Sequence, residues 1–176
     1  HIPSKKECCE IMREYDMLPN IIAHSKQVMA VAVRLMDYLI DENTINRNVV
    51  IAAALLHDLT KTRSLKTGER HDMTGGELLR TLGFPTLAYI VEQHVFFTGF
   101  DPDGPLEERE IVYYADKCVM HDAVVSVHQR VDDLILRYGT TEERREMILK
   151  NKALILAIEA KINRHLRTDI RQVIGL

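Results

Sequence analysis

The stretch Val49-Val50-Ile51-Ala52-Ala53-Ala54-Leu55-Leu56-His57-Asp58-Leu59-Thr60-Lys61 decides how the rest of the chain is read. An unbroken apolar run meets adjacent His57 and Asp58, and polar Thr60 and Lys61 follow at once. A helix that is apolar all round belongs in the middle of a core, and the alanines let neighbouring helices approach closely. An imidazole and a carboxylate at the end of such a helix are costly to desolvate unless something pairs with them. Adjacent helical residues point about 100° apart. They cannot share a helix face, but they can grip one ion lodged at the helix end. On the dipeptide alone, a satisfied His-Asp surface pair explains the pattern equally well, and other residues must decide.

In chain order, Ser4 to Tyr15 reads as a short helix, with Ser4 as N-cap and Glu7 three residues on at capping-box spacing. Leu18-Pro19 breaks it. Asn20 then caps a longer helix, about 21–40, in which Ile21, Val28, Val31, Ala32, Leu35, Met36 and Leu39 fall at helical spacing. His24 lies in its first turn and points to the same interior. Asn46 or Asn48 opens the alanine-rich helix, and Thr62 to Arg70 reads as a loop. A helix follows from about Asp72 to Leu82, closed by Gly83 in a C-cap role. Gly75 and Gly76 weaken it by roughly 1 kcal/mol each, which points to close packing. Pro85 suits the first turn of the next helix, which carries His94 near its end. The segment 96–105 is rich in turn residues and aromatics and reads as a mobile loop.

From Leu106 onward the pattern is helical throughout. Glu107, Glu108 and Glu110 fall in a first turn, where the helix dipole favours acids, and Asp116-Lys117 interrupts the apolar run Ile111 to Val119. Further helices are expected at about 124–138, from Thr140 or Thr141 to about Leu166, and at 169–174. No period-2 strand pattern, internal repeat or low-complexity tract is present, so the expected fold class is all-α. A length of 176 residues reads as one domain, 1–176, with a motif-bearing core at about 20–120 and a C-terminal helical extension at about 124–176. The apolar residues of that extension suit intramolecular packing or a homodimer interface.

A net charge of −3 and a pI near 6.3 offer no electrostatic case for nucleic-acid binding. Cys8, Cys9 and Cys118 form no paired framework and fit a reducing, cytoplasmic setting. No apolar run approaches the roughly 18 residues of a membrane span, and the N-terminus has no signal-peptide pattern. The chain opens on His1 rather than methionine, which reads as a processed product or a piece of something longer.

Four side chains able to bind metal thus project from separate helices into one apolar interior: His24, His57, Asp58 and Asp116. His71 and His94 sit at the ends of the helices between them. Imidazole and carboxylate ligands suit iron, manganese, zinc, nickel or cobalt, with magnesium accepted by carboxylates and water. Singly, each residue has an ordinary reading as a cap, a core histidine or an acid on a helix face. Their order is what carries weight: His, then His-Asp, then Asp.

That order resembles the HD superfamily of metal-dependent phosphohydrolases. His24 matches its first histidine, His57-Asp58 the signature doublet, and Asp116 in Tyr114-Ala115-Asp116-Lys117 the final aspartate. The run from Leu55 to Lys61 resembles the family's HDIGK form, with Leu59-Thr60 in place of Ile-Gly. The resemblance covers about residues 20 to 120. It implies one metal ion held by His24, His57, Asp58 and Asp116 on a bundle of helices. In some branches a second ion is held by two extra histidines and bridged by the doublet aspartate, and His71 and His94 lie where those branches have theirs. On these residues the chain is most similar to small bacterial two-iron HD proteins that cleave diadenosine tetraphosphate. The HD-GYP phosphodiesterases share the extra histidines, but Gly-Tyr-Pro is missing and Val95, not histidine, follows His94.

The chemistry so implied is hydrolysis of a small phosphorylated substrate, such as a nucleotide, through a metal-activated water. Asp58 is suited to bridge, because a carboxylate offers two oxygens and an imidazole one free lone pair. Lys61 and Lys117 are expected to hold phosphates, while Arg63, Lys66 and Arg70 read as solvated. His121, His128 and His165 read as ordinary histidines. A different class of function is also open: a non-catalytic, metal-stabilised regulatory or ligand-binding module of a longer protein. Substrate identity and native metal are beyond the residue pattern.

Overall fold

A computed structural model describes residues 1–176. Helices dominate: α1 Lys5–Glu14, α2 Pro19–Asp37, α3 Arg47–Leu56, α4 Lys61–Thr67, α5 His71–Thr81, α6 Pro85–Glu92, α7 Glu108–Lys117, α8 Val127–Tyr138, α9 Glu142–Arg164 and α10 Ile170–Ile174. A 3-10 turn, Glu42–Thr44, joins α2 to α3. The fold is all-α apart from a small antiparallel hairpin, β1 Val119–Met120 and β2 Ala123–Val124.

Local chemistry explains most boundaries. Ser4 and Glu7 form the anticipated capping box. Asn46, not Asn48, caps α3, accepting from the Val49 amide at 3.3 Å. At α2 the expected Asn20 cap is wrong: Leu18 is the N-cap and Pro19 takes the first helical position, where its missing N–H costs nothing. Gly83 follows the C-cap Leu82 with φ +87°, a conformation glycine adopts without a Cβ clash. A Cβ added to Gly75 would lie 3.2 Å from Val91 Cγ1, so the expected close packing is of α5 on α6.

Three segments depart from expectation. Residues 61–67 form α4 rather than a loop, stopped by Gly68 at φ +73°. The helix expected from Val124 starts at Val127 behind a Ser126–Gln129 capping box, because the hairpin occupies 119–124. The 96–105 loop is tied down rather than free. Lys161 Nζ, 1% exposed, donates to the Asp101 and Pro105 carbonyls at 2.8 and 3.0 Å and to Glu110 Oε1 at 2.7 Å, which uses all three of its donors. Arg109 holds the Thr98 and Gly99 carbonyls from the other side, at 2.7 and 3.2 Å.

α3 lies at the centre, packed by α1, α2, α6 and α7. Its Ala52–Leu56 segment is wholly buried, which matches the apolar-all-round reading. One cluster of buried apolar residues runs from Cys8 to Ile174, so α9 and α10 share the core of α2, α3 and α7. Tyr113 and Tyr114 on α7 donate to Asn151 and Glu159 on α9. No helix is long and apolar enough to cross a membrane.

Candidate metal centre

α3 stops at Leu56, and the chain turns through residues 57–60 before α4. That turn leaves His57 and Asp58, 0% and 2% exposed, at the buried end of the central helix. The first turns of α2 bring His24, the last turn of α7 brings Asp116, the start of α5 brings His71, and the segment just past α6 brings His94.

The two oxygens of Asp58 face different partners. Oδ2 lies 3.4 Å from His57 Nε2 and 3.8 Å from His24 Nε2. Oδ1 lies 3.2 Å from His71 Nε2 and 3.4 Å from His94 Nε2. His71 and His94 bring their Nε2 atoms to 3.1 Å of one another. Two groups that could hold a metal ion therefore share one carboxylate: His24, His57 and Asp58, and Asp58, His71 and His94. Asp116 flanks the first group, its Oδ1 2.9 Å from His24 Nε2 and 3.4 Å from His57 Nε2.

The outer ring nitrogens are anchored on backbone carbonyls. His57 Nδ1 meets the Ala54 carbonyl at 2.7 Å, His94 Nδ1 that of Val91 at 2.6 Å, and His24 Nδ1 that of His121 at 2.7 Å. A carbonyl only accepts, so each Nδ1 carries a proton and each ring turns Nε2, the nitrogen that would bind an ion, inward. His57 Nε2 is buried with no hydrogen-bond partner. Facing two carboxylate oxygens at 3.4 Å, this atom is favourably placed only with a proton or a metal ion on its inner side. This orphaned atom, with its donor set, fits a divalent ion.

Electrostatics agree. Burial pushes the Asp58 carboxyl up, but His57, His71, His94 and Lys61 more than reverse this and hold it well below the usual carboxylate range. Burial likewise opposes ionisation of Asp116, which Lys117, His24 and His57 outweigh. Burial lowers His57, yet Asp58 and Asp116 leave it raised overall; for His94 burial wins and the pKa falls. The centre is thus a buried pair of carboxylates ringed by imidazoles.

The two lysines differ. Lys61 Nζ lies 3.2 Å from Asp58 Oδ2, with its side chain 38% exposed on the cavity. Lys117 is buried, donating to Asp116 Oδ2 and the His94 carbonyl, each at 2.9 Å, over the Tyr113 ring. The expectation that Lys117 holds a phosphate therefore needs correcting: its donors are turned to the protein, and it fixes Asp116 and the His94 segment. Arg63 pairs with Glu69 and Arg70 with Asp72.

A cavity of about 390 Å³ opens beside His24, Asp58 and Lys61, and its far wall is α8. Arg130, Leu134, Arg137 and Tyr138 line it together with His121 at the hairpin tip. Sequence reasoning missed these residues. The available signal was the i, i+4, i+7, i+8 spacing of Arg130, Leu134, Arg137 and Tyr138, which places them on one helix face.

Two curated relatives are each named tRNA (cytidine(56)-2'-O)-methyltransferase. The one from Thermoplasma volcanium is 28% identical over 162 residues, covering 85% of this chain and 46% of the relative. The one from Picrophilus torridus is 27% identical over 145 residues, covering 75% and 41%. The chain thus spans less than half the length of these relatives. A solved structure described as a predicted HD superfamily hydrolase, from an uncultured Thermotogales bacterium, superposes with a TM-score of 0.52 at 24% identity, covering 89% of each chain. That likeness speaks to the fold. The family model for the HD domain matches residues 21–121, more than half of the chain and the span that carries His24, His57-Asp58 and Asp116, so this chain belongs to the HD family.

Proposed function

We propose that the chain is a metal-dependent phosphohydrolase acting on a nucleotide or another small phosphate ester or anhydride. One observation carries the reading: the two oxygens of Asp58 each face their own pair of imidazole nitrogens. Such a carboxylate holds two cationic positions together and offsets part of the repulsion between them. His24, His57, Asp58 and Asp116 would hold one divalent ion, and Asp58, His71 and His94 a second. A bound ion of this kind supplies a water of lowered pKa and neutralises phosphoryl charge.

The remaining work falls to the chain's own side chains. Lys61 is the cation beside Asp58 with access to the cavity, and its flexible stem lets the ammonium move to a phosphoryl oxygen. Lys117 holds Asp116 in place. The carbonyls of Ala54, Val91 and His121 keep three imidazoles in the tautomer that binds metal. The buried walls exclude bulk water from the carboxylates.

The length of the relatives supports a second reading, in which this HD unit is a non-catalytic metal-stabilised or ligand-binding module of a longer protein. A panel of phosphomonoesters, phosphodiesters and nucleotide anhydrides, offered to protein reconstituted with iron, manganese or zinc, separates the two. Turnover of at least one compound, abolished by chelator, supports the phosphohydrolase. No metal-dependent turnover across the panel, with metal bound, supports the module.

A further inference from the structure

The wall of the cavity opposite Asp58 lies beyond the residues matched by the family model, and nothing in the metal centre accounts for its charge. Arg130 and Arg137 stand two turns apart on α8, about 10 Å along its axis at 1.5 Å per residue. Asp133 sits between them, accepting from Arg130 Nη1 at 3.4 Å and from Arg137 Nε at 3.0 Å. Arg137 Nη2 also donates to His121 Nε2 at 3.0 Å.

These contacts leave donors over. A guanidinium has five N–H donors; Arg130 makes only the long Nη1 contact to Asp133, and although its unpartnered Nε is buried, its Nη2 has no protein partner. One carboxylate serves two guanidinia. The charged groups lining the cavity are Lys61, Arg130 and Arg137 against Asp58 and exposed Asp122, and Asp58 belongs to the metal centre. Leu134, Tyr138 and Leu65 supply an apolar border.

We infer that Arg130 and Arg137 form an anion subsite that binds a second, non-reacting phosphate group of the substrate, beyond the phosphoryl group held at Asp58. The inference rests on the phosphohydrolase reading and deepens it: the preferred substrates carry at least two phosphate groups. Guanidinium suits this task because its planar fork meets phosphate oxygens in pairs. The turn that bears His121, at φ +57°, ties the subsite to the metal centre: its ring meets Arg137 and its carbonyl orients His24.

The test is calorimetric binding of AMP and ADP, which differ by one phosphate, to protein of measured metal content, with and without bound metal. The proposal expects the wild type to bind ADP at least tenfold tighter than AMP. Arg130→Ala and Arg137→Gln should each weaken ADP binding by roughly 10- to 100-fold, the range for one lost charge-assisted contact, and bring the ADP/AMP ratio towards one. Arg137→Lys should recover part of that ratio, which a purely structural role for the side chain does not predict. If Arg130→Ala fails to fold, Arg137→Gln on the more exposed position decides. Metal-loaded wild type with no preference for ADP, or variants with an undiminished ratio, would overturn the subsite while leaving the metal centre standing. Protein that takes up no metal, yet retains an arginine-dependent preference for ADP, would fail the phosphohydrolase reading and keep the subsite.

Discussion

Replacing Asp58 by asparagine keeps the volume of the side chain and removes the charge shared by the two histidine pairs. Its effect on metal-linked stability can be worked out in advance. An ion that binds only the folded state, present at 100 times its Kd, stabilises that state by about 2.7 kcal/mol. Unfolding entropy of about 2.1 cal/mol/K per residue over 176 residues is roughly 0.37 kcal/mol/K. One ion should therefore raise the Tm of the wild type by about 7 °C. Loss of an outer-sphere partner alone weakens metal binding 10- to 100-fold, and Asp58 directly faces both groups. A loss of about 100-fold cuts the stabilisation at the same concentration to about 0.4 kcal/mol, or roughly 1 °C. The assay is differential scanning calorimetry of apo and metal-loaded protein, with each variant compared against its own apo form so that baseline changes cancel, alongside elemental analysis. If Asp58→Asn keeps the full wild-type shift and metal content, the shared-carboxylate assignment is wrong.

The His71→Ala, His94→Ala double variant should reduce bound metal from two ions per chain to one with the fold intact; one ion before and after would show that these histidines hold none. Lys161→Met leaves the buried Glu110 carboxylate without the ammonium that lies 2.7 Å from it, and should cost about 3–5 kcal/mol, roughly 8–14 °C in Tm, with metal content unchanged; a loss below about 1 kcal/mol would refute the account of the buried pair. Burial pushes the Cys8 and Cys118 thiols up to about 12, so the folded protein at pH 8 should expose one reactive thiol, Cys9, to a disulfide reagent, and three after denaturation. Rapid labelling of all three in the folded state would contradict the packing of α1 and α7.

The sequence revealed the parts of the fold in which one strong local signal dominates. The alanine-rich run of α3 could only be central, and the Ser4–Glu7 cap follows from side chains competing for the first amides of a helix, whereas at α3 the choice between Asn46 and Asn48 fell to the structure. α4 was hidden because Leu65 is the one apolar side chain in Lys61–Thr67 and none of its residues is buried, so no apolar stripe marks a period. The hairpin was hidden because strands of two residues cannot display an alternation. At the candidate site the family order brought out the buried histidines and aspartates, but it could not say that Lys117 would turn to Asp116 rather than to the cavity. Nor could it show that the segment 96–105 is fastened by Lys161, some 60 residues away in the chain.

His121 shows why the rest was out of reach. Its ring type suggested nothing unusual, and its contribution to the metal centre comes from its backbone carbonyl, which any residue possesses. What fixes that carbonyl is the turn between β1 and β2, and what fixes the ring is Arg137 on α8. The family match ends at residue 121, where the chain leaves the candidate metal ligands and begins the α8 lining of the same cavity. On the subsite proposed above, the candidate metal ligands and the face that selects the ligand belong to different parts of the chain. Substitutions on the Arg130–Tyr138 face should then alter which phosphate compounds bind without altering how many metal ions are held, whereas substitutions at His57 or Asp58 should lower the metal content itself.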